Sequence, residues 1–513
     1  MFPKKYFLLL IFILGKFFLQ YQLIDDTYDL HRDEYLHLDQ ANHLAAGYIS
    51  LPPFTSWIAF AIKILGNTEF WVKFFPILFG ALTMVVVWQM VTELKGGVFA
   101  HILAMLALLF SAMLRINILF QPNSADIFFW TLGYYWLFKY LHSQKNLFLL
   151  FLGFTFGMAM LNKYSIVFWA FGVFFGLLIG ENRKIFANKY LYISAFIALL
   201  VFLPNLVWQI QHNFPVLWHM KTLAATQLVY VNRIDFLKDQ VLFFFGALPI
   251  LLFAFYAFFA YKPFQKYKVF FWAYLFTILI FLYFRAKSYY AIGLYPVLLA
   301  FGSVYIGEIL ANTKSIAKKT AYFILPTSII LLFTPLFTLV FPIYSPKKIA
   351  QNNSTLKSLG FLRWEDGKDH TLPQDFADML SWKELAEKVD RQYAQIADKD
   401  NTIVRCDNYG QAGAINFYSK FKNIRAVSYN ADYLYWFPLE KPIRNMILVK
   451  EIEDEELDRK VEKQFFSSVV LADSISNSYA REFGTRIFVA KNAKVPINKI
   501  LENDIAEEKQ AIQ

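Results

Sequence analysis

"FWVKFFPILFGALTMVVVWQMVT" (residues 70–92) is an apolar stretch with one charged side chain, Lys73. It is long enough to cross the hydrocarbon core of a bilayer as an α-helix, which takes about 20 largely apolar residues. Over the whole chain of 513 residues, 57% are hydrophobic and only 17% are charged. A water-soluble fold does not hide this much apolar surface. The composition therefore predicts a membrane protein.

Similar apolar stretches recur along the first two thirds of the chain and predict about eleven transmembrane helices. Their approximate bounds are 6–24, 70–92, 98–119, 125–141, 147–161, 165–180, 190–208, 240–260, 269–285, 291–311 and 321–343. Lysines and arginines, beginning with Lys4 and Lys5, cluster on every second connection, and the positive-inside rule makes these connections cytoplasmic. No small-residue cleavage site follows the first stretch, so we predict a permanent span with a cytoplasmic N-terminus.

The composition changes after about residue 344. "SWKELAEKVDRQYAQIA" (381–397) has helical spacing, whereas "NTIVRC" (401–406), "NMILVK" (445–450), "SSVVLAD" (467–473) and "RIFVA" (486–490) are typical of buried strands. An odd number of spans places this tail outside the cell membrane. We therefore predict a helical transmembrane catalytic domain (1–344), with an external loop at 25–69, and an extracytoplasmic α/β domain (345–513).

Charge and cysteine content exclude other classes of protein. The net charge of +11 arises from short clusters between apolar runs rather than from one basic face, so we predict no nucleic-acid partner. The single cysteine, Cys406, forms no internal disulfide framework, and no Cys and His spacing suggests structural zinc.

Unusual polar residues fall at the predicted outer ends of the spans, on several separate connections. They are Asp33, Glu34, Asp126, Lys163, Asn205, His212, Asn213, Arg285 and Lys287. One charge at the end of a span often marks only the membrane boundary. Because these residues converge on one face, we predict a site there.

The residue types suit transfer from a lipid phosphate. Lys163, Arg285 and Lys287 can hold a phosphate on an apolar tail and stabilise it as a leaving group. Asp33 can accept a proton from an acceptor hydroxyl as general base, and Glu34 can influence Asp33 through like-charge proximity. Asp33, Glu34 and Asp126 could also hold a divalent cation or work without one, so no metal ligand is assigned.

The stretches that carry these residues resemble a known family. They are "RDEYLHLDQANHLAAGYISLPPF" (32–54), "QPNSADIFFWTL" (121–132), "GFTFGMAMLNKYSIVF" (153–168), "LPNLVWQIQHNFP" (203–215) and "RAKSYYAIGLYPVLLAFG" (285–302). In this order they resemble the polyprenyl-phosphate-sugar-dependent glycosyltransferases of the GT-C class, which include protein O-mannosyltransferases and lipid A aminoarabinose transferases. "CDNYGQAGAINFYSK" (406–420) is similar to a tail segment of bacterial members. Leu51-Pro52-Pro53 replaces the Glu-Lys-Pro of the aminoarabinose branch, and in this the chain looks more like the mannosyltransferase-like branch.

The resemblance implies roles for particular residues. Asp33 is expected to be the general base and Glu34 its acidic neighbour, with Asp126 as a second carboxylate of the site and Lys287 as a phosphate contact. The implied donor is a sugar on a polyprenyl phosphate in the plasma membrane. The implied acceptor is a hydroxyl of a glycolipid, a polysaccharide or a protein.

Two further expectations concern the surroundings of the site. Near Lys287 we expect a lipid-facing groove with Tyr289 and Tyr290 beside the donor headgroup, and His212 and Asn213 on the same rim. The tail is expected to cover the site and select the acceptor, or only to stabilise the fold or dock a partner. Because the family's catalytic motifs all precede residue 303, sugar transfer is expected to need no tail residue.

The alternative function is a multi-span transporter or flippase of lipid-linked sugars. Such a protein typically contains internal repeats and carries its charges at the midplane of the membrane. No repeat is evident in this sequence, and the charges lie at the ends of the spans.

Overall fold

The computed structural model describes residues 4–312, 316–454, 456 and 458–512. Its first two thirds are helical, and each apolar stretch predicted from the sequence contains a helix. The helices are α1 (Lys4–Gln22), α2 (Arg32–Asp39), α3 (Phe54–Ile64), α4 (Glu69–Glu93), α5 (Val98–Leu109), α6 (Met113–Ile116), α7 (Asn123–Ser143), α8 (Leu147–Met160), α9 (Ile166–Ile179), α10 (Lys189–Gln211), α11 (Pro215–Thr226), α12 (Arg233–Leu242), α13 (Leu248–Ala260), α14 (Lys268–Phe284), α15 (Tyr295–Ala311), α16 (Ile316–Phe333) and α17 (Phe337–Val340).

Five helical segments in the described part of the chain are long and apolar enough to cross a membrane. They are Glu69–Glu93, Lys189–Gln211, Lys262–Phe284, Ser288–Ala311 and Lys318–Val340. Two bent helix pairs raise the number to seven if each pair is one span. The prediction of a multi-pass membrane protein is confirmed, whereas the count of eleven spans stays a prediction.

The predicted spans 147–161 and 165–180 contain two short helices, α8 and α9. Glycines let each of them approach a neighbour closely: a Cβ on Gly153 would lie 2.2 Å from the Ser194 carbonyl oxygen of α10, and one on Gly172 would lie 2.0 Å from Thr277 of α14. Small residues at such crossings are typical of helix packing in membranes. This packing fixes the α8–α9 turn, which carries Lys163.

The tail contains a five-stranded sheet, which confirms the predicted α/β character. Its strands are β1 (Thr402–Cys406), β2 (Ala426–Ser428), β3 (Asn445–Lys450), β4 (Phe466–Ser474) and β5 (Arg486–Ala493), in the order β2-β1-β3-β5-β4. The helices are α18 (Pro346–Gln351), α19 (Ser354–Ser358), α20 (Gln374–Ala377), α21 (Trp382–Ala394), α22 (Tyr409–Tyr418), α23 (Lys460–Phe465) and α24 (Ile497–Ile512). β1 pairs in parallel with β2 and β3, while β5 is antiparallel to β3 and β4.

The tail packs directly on helix α2 of the predicted external loop. Tyr35 is fully buried and meets Trp382 edge-on, with ring centroids 5.6 Å apart. The same apolar cluster contains Leu36 and Leu38 of α2 and Ile415 of α22. Helix α2 therefore belongs to the core of the tail as much as to the loop, and this packing positions Asp33.

Candidate active site

Helix α2 begins with a capping box that orients two adjacent carboxylates. The backbone N–H of Asp33 donates to Nδ1 of His31 (3.2 Å), and that of His31 donates to Oε2 of Glu34 (2.6 Å). Such reciprocal bonds satisfy the free N–H groups at a helix start. Consecutive residues of a helix do not face each other. Asp33 and Glu34 accordingly have different partners.

Glu34 is fully buried and joins three elements. Its two carboxylate oxygens accept hydrogen bonds from Nζ of Lys73 in α4, at 2.9 and 2.8 Å. The backbone N–H of Phe120, just before α7, donates to the same carboxylate at 2.6 Å. Removing one partner of such a buried pair typically costs about 3–5 kcal/mol. Glu34 thus holds α2 against α4 and the segment before α7.

Asp33 is half-buried and is held from two sides. Its Oδ1 accepts a 2.6 Å hydrogen bond from the hydroxyl of Tyr409, and its Oδ2 accepts one of 3.2 Å from Nε2 of Gln121. Burial raises the pKa of Asp33, but the positive charges of His31 and Arg32 and the Tyr409 hydrogen bond outweigh it and hold the pKa below its usual value. Asp33 is therefore a carboxylate at neutral pH.

Two lysines and two tyrosines lie around this carboxylate. Burial lowers the pKa of Lys287, but the charges of Glu365, with which it pairs, and of Asp33 raise it overall. Lys163 donates to Oδ1 of Asn123 at 2.8 Å and lies 4.0 Å from the ring centroid of Tyr290 and 5.3 Å from that of Tyr289. Asn123 in turn donates to Oε1 of Gln121 at 2.9 Å, and Gln121 donates to Asp33. The structure thus brings together Asp33, Lys163, Lys287 and both tyrosines.

Asp126 lies beside this cluster, at the start of α7. Trp130 Nε1 and Ser165 Oγ each donate to its carboxylate at 3.0 Å. Ser165 follows the turn that carries Lys163. Both oxygens of Asp126 are therefore engaged: Oδ2 holds that turn through Ser165, and Oδ1 accepts from Trp130 of the same helix.

The remaining predicted residues have other partners. Asn205 is buried, donates to the carbonyl oxygen of Ala46 (2.8 Å) and accepts from the hydroxyl of Tyr164 (2.8 Å). His212 stacks on Trp208, with ring centroids 4.1 Å apart. Asn213 has a left-handed backbone conformation. Arg285 donates to the carbonyl oxygen of Val229 at 3.1 Å. These contacts do not connect the four residues to Asp33.

Possible metal ligands are not gathered at the site. Within the described ranges, no group of three or more His, Cys, Asp and Glu side chains is arranged to hold an ion. Glu34 pairs with Lys73, and Asp126 accepts from Trp130 and Ser165, whereas the side chain of Asp33 is bonded to Gln121 and Tyr409. A site that holds a divalent cation and a site that works without one both stay predictions.

Sequence reasoning missed the residues that complete the cluster. Tyr409 and Glu365 come from the tail, and Asp375 and Asp378 each lie 3.8 Å from Nε2 of His31. For Tyr409 a signal existed, because it lies in the tail stretch 406–420 singled out for its family resemblance. No sequence signal indicated Glu365, because its partner Lys287 is 78 positions away in the chain.

One family model matches part of this chain, and the chain is similar in sequence to a curated glycosyltransferase. Residues 50–208 match the family described as dolichyl-phosphate-mannose-protein mannosyltransferase. This range includes Asp126 and Lys163 but not Asp33 or Lys287. Lipid A galacturonosyltransferase RgtD of Rhizobium johnstonii is 25% identical over 240 residues, which are 45% of this chain and 49% of RgtD. The chain thus matches about half the length of that curated relative.

Two crystal structures of ArnT from Cupriavidus metallidurans have the same fold. The form bound to undecaprenyl phosphate has a TM-score of 0.62 at 13% identity, and the match covers 94% of this chain and 97% of ArnT. The apo form has a TM-score of 0.60 at 13% identity, with coverages of 95% and 98%. The match includes the membrane helices and the tail, so the predicted GT-C fold is confirmed.

Proposed function

We propose that this multi-pass membrane protein of the GT-C fold is a glycosyltransferase that moves a sugar from a polyprenyl phosphate to an acceptor hydroxyl. The observation that carries the proposal is the ionised Asp33 in one cluster with Lys287 and Lys163. A base and cations for a leaving phosphate are the groups this reaction requires. The names of RgtD and of the undecaprenyl phosphate complex of ArnT support this choice of chemistry.

In the proposed reaction the acceptor oxygen attacks the anomeric carbon of the donor sugar. A bond forms between them while the bond from that carbon to the phosphate oxygen breaks, and its electron pair leaves with the phosphate. Asp33 takes the proton of the acceptor hydroxyl, a role that contributes about 10²- to 10⁴-fold in rate. Lys287 and Lys163 stabilise the negative charge that develops on the phosphate.

The neighbouring residues take positioning roles in this proposal. Glu34 and Lys73 hold the first turn of α2, while Gln121 and Tyr409 orient the Asp33 carboxylate. Asp126 holds the turn that carries Lys163.

Outer parts of the predicted site are proposed as its rim. Tyr289 and Tyr290 flank the donor headgroup beside Lys163. Asn205 fixes the external loop through Ala46. His212, Asn213 and Arg285 are assigned to the more distant rim. We propose that this face lies outside the plasma membrane, with the N-terminus in the cytoplasm and the tail outside.

The transporter alternative is less well supported. RgtD carries a transferase name, and no inverted repeat was evident in the sequence. The base and the cations cluster against a folded tail domain, an arrangement that a transport pathway does not require.

The function is tested by comparing lipid and glycan profiles of cells that lack the gene with those of cells complemented by variants. Wild-type chain should restore one missing hexose or pentose modification, whereas Asp33→Asn should not. Asp26→Asn, which changes an exposed carboxylate of the same loop, is the matched control and should restore it fully. Full restoration by Asp33→Asn would refute Asp33 as the base.

A further inference from the structure

The tail contains an open cavity of about 420 Å³ beside the candidate active site. Three segments form it, at 364–374, 451–453 and 478–485. Its volume is within the range of about 300–1,000 Å³ typical of small-molecule sites. The membrane spans contribute no lining residue to it.

The cavity wall on the side of the catalytic cluster is built from lining residues that contact Lys287 or Asp378. Glu365 lines the cavity and pairs with Lys287. Gln374, also in the lining, donates to Glu365 at 3.2 Å and to Asp378 at 3.4 Å. Arg481 lines the cavity and donates to Asp378 at 3.0 Å. A ligand in the cavity would therefore lie next to the proposed donor phosphate.

Arg32 connects the same two regions. Its guanidinium lies 4.4 Å from the ring centroid of Tyr409, which holds Asp33. Asp33 and the cavity residue Glu482 both act electrostatically on it. Its Nε is buried and has no hydrogen-bond partner among the described residues. The boundary between the cavity and the catalytic cluster thus has an unused donor.

The lining combines apolar and acidic groups. Phe483 and Ile452 are each 44% exposed and offer apolar surface with Tyr479. The charged lining residues are Glu365, Asp366, Glu451, Glu453, Glu482 and Arg481, with His370 beside them. Glu365 pairs with Lys287 and Asp366 with His370, which leaves Glu451, Glu453 and Glu482 beside Arg481. This acidic lining repels a phosphate, but its carboxylates accept hydrogen bonds from hydroxyl groups. Exposed aromatic faces suit the C–H faces of a sugar ring.

We propose that this cavity binds a neutral saccharide portion of the acceptor, and that the active site therefore selects acceptors whose sugar next to the reacting hydroxyl carries no phosphate. The inference rests on the proposed function, because the ligand is identified as the acceptor only from the position of the cavity beside the Lys287–Glu365 pair. It names a substrate class that the comparisons do not give.

Saturation-transfer NMR on the purified full chain in lipid nanodiscs tests the binding directly. The probes are the methyl glycosides of mannose, galactose and glucose, with mannose 6-phosphate as the charged counterpart. At least one neutral glycoside should receive saturation, and mannose 6-phosphate should not. Phe483→Ala should weaken the apparent affinity about fivefold through loss of an aromatic contact. Val470→Ala, which changes an exposed β4 residue outside the lining, should have no effect.

The possible results separate this inference from the proposed function. Failure of all neutral glycosides to bind, equal binding of mannose 6-phosphate, or no change in Phe483→Ala would overturn it. Displacement of the glycoside by mannose-linked undecaprenyl phosphate would make the cavity part of the donor site instead. Asp33→Asn should keep glycoside binding while it loses sugar transfer. If Asp33→Asn retains transfer, the role of Asp33 as the base fails even though the binding result stands. If the wild-type chain transfers no sugar, the proposed function fails independently of the binding result.

Discussion

The hydroxyl of Tyr409 donates a 2.6 Å hydrogen bond to Asp33 across 376 positions of sequence. Tyr409 starts α22 in the tail, and Asp33 lies in the first turn of α2. The tail therefore touches the proposed base directly and does more than cover it. This contact argues against the expectation that sugar transfer needs no tail residue.

Replacement of Tyr409 by phenylalanine should slow transfer and shift its pH dependence. Asp33 acts as a base only when ionised, so activity is lost as the pH falls through its pKa. The Tyr409 hydrogen bond lowers that pKa, and its loss should move the acid limb of the pH–rate profile to higher pH. A hydrogen bond to a charged group is worth about 1.5–3 kcal/mol, so kcat should fall by roughly tenfold or more. Tyr429→Phe, which loses a 2.8 Å bond to Asp504, is the matched control and should leave the profile unchanged.

Breaking the Glu34–Lys73 pair should destabilise the fold. Lys73→Met leaves the Glu34 charge buried without its partner and should lower the free energy of unfolding by about 3–5 kcal/mol. Thermal unfolding in detergent measures the effect. Lys238→Met removes an exposed pair with Asp235 and should cost at most about 1 kcal/mol. Similar losses in both variants would contradict the structural importance of the buried pair.

Glu365→Gln should improve use of the lipid-linked donor. Glu365 pairs with Lys287 and so competes with the donor phosphate for that cation. Because the pair is partly exposed, its removal should lower the KM for donor by only about threefold, with a smaller change in kcat. The neighbouring Asp366→Asn, whose partner is His370, is the control. An increase in KM would show that Glu365 helps donor binding instead.

The predicted membrane orientation is testable through the single cysteine. Cys406 is buried and can be replaced by alanine, after which Glu440→Cys places one thiol on an exposed part of the tail. A membrane-impermeant maleimide should label this thiol in intact spheroplasts, in which the plasma membrane is closed. Lys262→Cys, on a predicted cytoplasmic connection, should be labelled only after lysis. The reverse pattern would place the tail and the active site on the cytoplasmic side.

Local sequence patterns were sufficient to predict the secondary structure and the general class of the site. Long apolar runs marked the helices, and short apolar segments such as 445–450 marked the strands. Asp33 and Lys287 stood out because several polar residues converge on one predicted face of the membrane. These signals depend only on residues that are close together in the sequence, so they can be recognised without the structure.

Only the tertiary structure decided which side chains the two carboxylates of α2 contact. Asp33 and Glu34 are adjacent and chemically alike, yet one faces Tyr409 and the other Lys73. That difference arises because α2 packs against both α4 and the tail, through contacts such as Tyr35 with Trp382. A repeat of 2 or 3.6 residues records which face of an element is apolar, but not which distant element covers it. The sequence by itself therefore determined the membrane helices, the tail strands and the candidate charges, and long-range packing decided which charge is free to act as a base.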